Sequence, residues 1–232
     1  MPMISFFTRL FDLISPRACP VCGNRLGVAE ETLCLSCNRH LPRTFFWDHP
    51  LDNEMAKTFW LQISVEKAAA LFYYEAHAQS SQVIYQMKYG NHPEMGEQMG
   101  RMMALEMNSS GFFEGIDLLL PVPLAPVRER QRGYNQSMEI ARGIQEVTGI
   151  PICHDALRRI SFTDSQTQKD RRSRQENVAK AFQLINADKI SGKHLLLIDD
   201  VVTTGATLIA CGQELQKAHP QCLSLLSLGF TH

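Results

Sequence analysis

The sequence predicts an α/β protein: a parallel sheet with helices on both faces, preceded by a small cysteine-rich module. Three observations predict it. The segments Ile116–Val122 and Leu195–Ile198 are apolar runs, lacking the alternation of a strand that is wet on one side, as strands buried on both faces require. Each is followed by a turn-forming loop and then by helical periodicity, the βα order that builds a parallel sheet. Ahead of both, Cys19, Cys22, Cys34 and Cys37 form two Cys-x2-Cys pairs separated by eleven residues.

A chain of 232 residues with 44% hydrophobic and 20% charged residues has the composition of a globular protein, large enough for one ordinary core plus a small appendage. The expected division is residues 1–50 for the N-terminal helix and cysteine module, and 51–232 for the α/β domain. A net charge of −1 gives no overall field to attract nucleic acid or acidic lipid, so such binding would need local clusters. Arg128, Arg130 and Arg132 form one; Arg158, Arg159, Lys169, Arg171, Arg172 and Arg174 form another. Taken alone, either reads as solvated surface.

The first fourteen residues carry Ile4, Phe6, Phe7, Leu10, Phe11, Leu13 and Ile14. That pattern suits a helix but is too short to span a bilayer, and Arg9 and Asp12 interrupt the unbroken apolar run that a secretory signal needs. The expectation is a cytoplasmic protein with no integral membrane segment. Its first helix would pack on its own domain, or else lie against the inner face of the membrane or a partner.

In a reducing compartment seven cysteines do not form a disulfide framework. Each Cys-x2-Cys can close a knuckle whose thiolates converge, and two knuckles complete a tetrahedron around Zn²⁺ with no open position. Cys19, Cys22, Cys34 and Cys37 are therefore expected to hold a structural zinc. The surrounding segment has little apolar surface of its own, so metal would supply much of its folding free energy. Cys153, Cys211 and Cys222 stand alone among apolar residues and read as small buried side chains.

Along the rest of the chain, 42–60 is aromatic and turn-rich and reads as a connector. Ala68–Tyr74 suits a strand, and Val83, Ile84 and Met87 recur at helical spacing within 80–89. Met95–Met107 reads as a second helix whose methionine stripe packs into the core. After Ile116–Val122 come a basic loop and a helix from about Asn135 to Gly149. After Leu195–Ile198 come a polar turn and a helix from Ala206 to about Ala218, and Leu223–Leu228 is the last strand.

The most informative stretch is Asp199-Asp200-Val201-Val202-Thr203-Thr204-Gly205-Ala206-Thr207. A buried strand here delivers two carboxylates at the sheet edge where open α/β proteins bind ligands. Gly205 lets the backbone approach a ligand closely, while Thr203, Thr204 and Thr207 add hydroxyls to the free amides of a helix start. Such a turn is an anion cradle. A phosphate held by it leaves two acceptor-only carboxylates beside the attached sugar, matched to ribose hydroxyls. Capping the helix and closing the turn would need only one Asp and one Thr.

This stretch resembles the phosphoribosyl pyrophosphate (PRPP) motif of type I phosphoribosyltransferases, two acids followed by Thr-Thr-Gly-x-Thr. The four-cysteine module, Pro121-Val122-Pro123-Leu124, Arg132-Gly133-Tyr134-Asn135-Gln136, and Gln166 through Arg174 to Asn177 with Ala181-Phe182 further resemble the ComF family of competence proteins. The resemblance implies a type I phosphoribosyltransferase-like fold with a zinc-ribbon-like N-terminal module. It implies that Thr203, Thr204, Gly205, Ala206 and Thr207 hold a 5-phosphate and that Asp199 and Asp200 meet the ribose hydroxyls. The loop containing Pro123, Leu124, Ala125 and Arg128 would face pyrophosphate, with Mg²⁺ accompanying PRPP. Residues 161–174 would close over the site, bringing Gln166, Lys169, Arg172 and Arg174 to the leaving group. Lys88 also matches the family pattern, with no role derivable from sequence.

The resemblance further implies a role in DNA uptake during natural transformation. The partners it implies are PRPP or another ribose phosphate, single-stranded DNA, and a DNA-uptake helicase or other competence proteins. Two kinds of activity fit the residues. One is transfer of ribose 5-phosphate from PRPP to an acceptor, catalysed by positioning and charge stabilisation. The other is binding without chemistry, in which the cradle grips a nucleotide or a single-stranded backbone, or senses PRPP as a regulator or partner adaptor. Tyr134, Phe162, Phe45, Phe46 and Trp47 are the aromatics available for stacking.

Overall fold

The computed structural model describes residues 17–76, 78–90, 92–160 and 181–231. Its cysteine module contains helix α1 (Leu35–Arg39) and leads through a 3₁₀ turn (Phe46–Asp48) and α2 (Glu54–Phe59) into the first strand, β1 (Ala68–Tyr73). Then follow α3 (Gln79–Tyr89), α4 (Pro93–Asn108), β2 (Leu118–Pro121), α5 (Pro126–Arg132) and α6 (Gln136–Thr148). A short antiparallel ribbon, β3 (Leu157–Arg159) and β4 (Phe182–Leu184), precedes β5 (His194–Val202), α7 (Ala206–Gln216) and β6 (Cys222–Phe230).

The main sheet has the order β1-β6-β5-β2, and its pairs are all parallel. Successive residues Leu195, Leu196, Leu197 and Ile198 are each fully buried. Since neighbouring side chains on a strand point to opposite faces, the sheet is covered on both. Helices α4 and α6 pack against each other, α6 also on β5 and β2 and α4 on β6, while α7 packs on β5 and the β3–β4 ribbon. The doubly covered parallel sheet expected from the apolar runs is what the chain forms.

Three glycines fix the α4–α6 approach. A Cβ on Gly100 would lie 2.1 Å from the Ile140 carbonyl oxygen, and one on Gly143 only 1.9 Å from the Glu97 carbonyl oxygen. Gly96 faces the Glu139 Cβ in the same way, at 2.8 Å. The helices are thus in backbone contact at this crossing. Below it, Met95, Met99, Met103 and Met107 recur every four residues along α4 and are buried, so the methionine stripe is core.

The aromatic connector is built into the body. Phe46, Trp47 and Phe59 are buried, and Phe46 meets Tyr73 and Phe230 edge-on. Asn53 caps α2 by accepting from the Ala56 amide at 2.9 Å, while its own amide donates to the His49 and Ala68 carbonyls at 2.9 and 2.8 Å. One buried side chain therefore ties the helix start to β1. The cysteine module is clamped to α4 by Arg43, which donates from Nε and an NH₂ group to the two Glu106 oxygens at 3.0 and 2.6 Å. The same guanidinium reaches back to the Asn38 carbonyl at 2.7 Å. A planar fork making several bonds at once holds more firmly than a lone surface ion pair.

Two expectations need correction. The basic loop after β2 contains a helix, α5, started by Pro126 in its first turn and ended by Gly133 at φ 79°. Arg128, Arg130 and Arg132 consequently share a rigid seven-residue segment. Strand β5 also runs four residues beyond the apolar stretch, so Asp199 and Asp200 lie inside it and pair through the ladder, Asp199 opposite Ser227.

Candidate functional site

The carboxyl ends of the parallel strands gather the chemistry-bearing residues. Because Asp199 and Asp200 are consecutive on β5, their side chains leave opposite faces and are held by different helices. Ser137, in the first turn of α6, donates its hydroxyl to Asp199 Oδ1 at 3.3 Å, and the Asp200 amide donates to the same oxygen at 2.9 Å. Asp200 Oδ2 pairs with Lys88 Nζ, on the last turn of α3, at 3.0 Å. Lys88, whose role sequence reading could not supply, is the counterion of the second acid.

Burial, reinforced by the neighbouring Asp200 charge, raises the Asp199 carboxyl from its ordinary 3.8 to about 7; the Asp200 amide, Lys88 and Ser137 oppose the shift. Asp200 is held by its ion pair with Lys88, and Asp199 titrates near neutrality.

The turn that follows has the form of a cradle. Thr203 and Thr204 are exposed, and Gly205 is the residue before α7, in the left-handed region at φ 72°. A Cβ on Gly205 would stand 2.9 Å from the Phe59 ring and 3.1 Å from the Thr58 methyl. Both backbone conformation and packing against α2 therefore require glycine. Ala206 and Thr207 open α7, whose first amides have no acceptor within the helix.

Lys88, the partner of Asp200, also lines a cleft of 480 Å³ with Tyr89, Arg128, Gln131 and Arg132. Pro123 and Leu124 line a second opening of 610 Å³ together with Gly133, Tyr134 and Asn135. Ala125 is the residue before α5. The predicted pyrophosphate loop is thus split: Arg128 faces one cleft, and Pro123 and Leu124 the other. Tyr134 is anchored by its hydroxyl, which donates to the Met87 carbonyl at 2.5 Å. Arg159, at the end of β3, lies over the Phe182 ring at 5.2 Å, and burial together with nearby Arg128 holds its pKa below the ordinary guanidinium value. Lys169 and Arg174, with Gln166 and Arg172, lie outside the described residues.

At the other end of the chain, one Sγ each from Cys19, Cys22, Cys34 and Cys37 lies within 4.8 Å of the rest. Cys22 and Cys34 Sγ are 3.6 Å apart, close to the roughly 3.8 Å edge of a tetrahedron with Zn–S bonds of about 2.3 Å. Amides point at the sulfurs as in a metal knuckle: the Cys34 amide donates to Cys19 Sγ at 3.5 Å and the Cys37 amide to Cys34 Sγ at 3.4 Å. Four soft donors converging without disulfides fit a closed metal site. Among the described residues no helix is long and apolar enough to cross a membrane.

The model of the phosphoribosyl transferase domain family matches residues 102–228, which include both acids, the Thr-Gly turn and the loop after β2. The chain belongs to that family. Within it, this phosphoribosyl transferase domain is similar to "Competence protein F" of Haemophilus influenzae, with 24% identity over 86% of the chain and 90% of the relative. It is 30% identical to "DNA utilization protein YhgH" of Escherichia coli K12 over 59% of the chain, a match spanning 61% of that relative. A third relative, "Competence protein ComFC" of Bacillus subtilis, is 34% identical over 39% of the chain and 35% of its own length. These relatives bear out the ComF-type resemblance read from the motifs.

Proposed function

We propose that this chain is a ComF-type protein that holds the ribose 5-phosphate part of PRPP, or of a nucleotide, in the turn Asp199–Thr207 and acts in DNA uptake and use. The observation that carries the reading is β5 itself, a buried strand that ends in two adjacent acids, one held by Ser137 and the other by Lys88, and a glycine-dependent turn opening a helix. Turn amides suit a phosphate, and the acids suit the ribose hydroxyls. Relatives named for competence and DNA utilization support the cellular role, with single-stranded DNA and competence proteins, a helicase among them, as partners. Titration calorimetry with ribose 5-phosphate, against ribose and phosphate separately, is the direct test. The joined molecule is expected to bind at least tenfold more tightly than either part. Pyrophosphate release from PRPP in the presence of candidate acceptors assigns transfer chemistry, with Mg²⁺ on the leaving group, whereas intact PRPP assigns binding alone.

Affinity for ribose 5-phosphate is expected to rise as pH increases through about 7, because Asp199 must be ionised to accept two hydroxyl hydrogen bonds. Stability linked to this group runs the other way. Its folded pKa lies above the ordinary 3.8, so between those values the fold binds more protons than the unfolded chain and stability falls as pH rises. Calorimetry at several pH values checks the first trend and urea unfolding the second; Asp199→Asn is expected to flatten both.

The four cysteines support a structural Zn²⁺ in the N-terminal module. Metal analysis of reduced protein is expected to give one zinc per chain. Chelation is expected to open protease sites between 17 and 41 before the α/β body is cut, since the module's folding depends on its metal.

A further inference from the structure

Only two tyrosines rank among the exposed large hydrophobic side chains of the described residues, and they are neighbours. Tyr85 and Tyr89 sit one turn apart on α3, 55% and 64% exposed, with ring centroids 5.1 Å apart. The Arg132 guanidinium lies over the Tyr89 ring at 5.6 Å, held there by donating to Gln136 Oε1 at 2.8 Å. Arg132, Tyr89 and Tyr85 form a continuous strip of π faces. Beside it opens the 480 Å³ cleft into which Lys88, Arg128 and Gln131 also project. The cleft carries three cations on a chain whose net charge is −1. Among the ion pairs of the described residues, only Asp200, on Lys88, offsets them.

We propose that this strip and cleft are the seat of single-stranded nucleic acid, with bases stacked on Tyr85 and Tyr89 and backbone phosphates drawn to Arg128 and Arg132. The inference rests on the DNA-handling reading and assigns it a surface. Stacking needs bases whose faces are free, which a single strand offers and a duplex does not. The cations need a polyanion, which an apolar peptide is not. Lys88 joins the two sites, since it lines the cleft and pairs with Asp200 at 3.0 Å. Of the aromatics expected from sequence, Phe46 and Trp47 are buried and the Tyr134 hydroxyl is tied to Met87. Phe45 is exposed but packs on Trp47 away from this cleft's lining, and Phe162 lies outside the described residues.

The test is fluorescence anisotropy of the full chain with a labelled oligothymidylate of about 15 nucleotides and with a duplex of the same length. Tyr85→Ala with Tyr89→Ala is expected to weaken single-strand binding by about ten- to a hundredfold, and Tyr85→Phe with Tyr89→Phe to preserve it. Arg128→Ala is expected to lower the salt slope by about 0.7. Both tyrosines are exposed, so far-ultraviolet circular dichroism of the alanine variant is expected to match wild type. Binding that ignores the alanine changes, prefers duplex, or is absent overturns the platform. Ribose 5-phosphate titrated into the wild-type chain in parallel separates the failures: a missing sugar-phosphate signal strikes the cradle, whereas tyrosine-independent DNA binding strikes only the platform.

Discussion

Replacing both β5 acids, Asp199→Asn with Asp200→Asn, is expected to cut affinity for ribose 5-phosphate at least about a hundredfold while leaving the fold intact. The size follows from losing two charge-assisted hydrogen bonds, each contributing about 1.5–3 kcal/mol. The intact fold follows from the surroundings. Burial already disfavours the Asp199 charge, so a neutral amide of the same shape removes a penalty. Asp200 does lose its lysine, but Lys88 is partly exposed and can turn to water. Calorimetry with ribose 5-phosphate and urea unfolding of the same variant separate the two effects. Unchanged affinity contradicts the ribose role, and a collapsed unfolding midpoint contradicts the argument from burial.

A larger effect on stability is expected far from the acids. Gly143→Ala places a methyl group 1.9 Å from the Glu97 carbonyl oxygen and 2.6 Å from the Arg101 amide nitrogen. Both obstacles are backbone of α4 and cannot rotate aside, so α4 and α6 must separate. Overpacking of this kind costs ~3 kcal/mol or more, lowering the melting temperature by about 6–12 °C in a domain of this size. Gly149→Ala is the control. Gly149 has the left-handed φ of 73° but nothing within 4 Å of the added carbon, so only conformational strain of about 1–2 kcal/mol applies. Equal losses in the two variants would show that close helix packing is not what position 143 requires. The site feels the same crossing, because Ser137, which bonds Asp199, opens α6.

What could be read from sequence was what is encoded locally. β5, the acids, the Thr-Gly turn and α7 are consecutive, and the switch from an apolar run to carboxylates, threonines and glycine marks each change of structure. The methionine stripe showed its helix by spacing alone. The β3–β4 ribbon was missed because three-residue strands such as Leu157–Arg159 are too short to display a period. In sequence, helix α5 reads as loop although Pro126 and Gly133 bracket it, because no apolar residue between them is buried and the helical face leaves no hydrophobic trace. Lys88 could be noticed but not explained. Its partner Asp200 lies more than a hundred residues further along the chain, on β5, and only the folded chain brings the two within 3.0 Å. The Tyr85–Tyr89 strip was hidden likewise: the spacing was visible, but exposure depends on which face of α3 the sheet covers.

The most direct measurement is a crystal structure of the chain with ribose 5-phosphate. The phosphate is expected on the amides of residues 204–207, with the sugar hydroxyls on Asp199 and Asp200. A sugar phosphate bound elsewhere, or both carboxylates turned from the ligand, would contradict the assignment of this turn as the binding site.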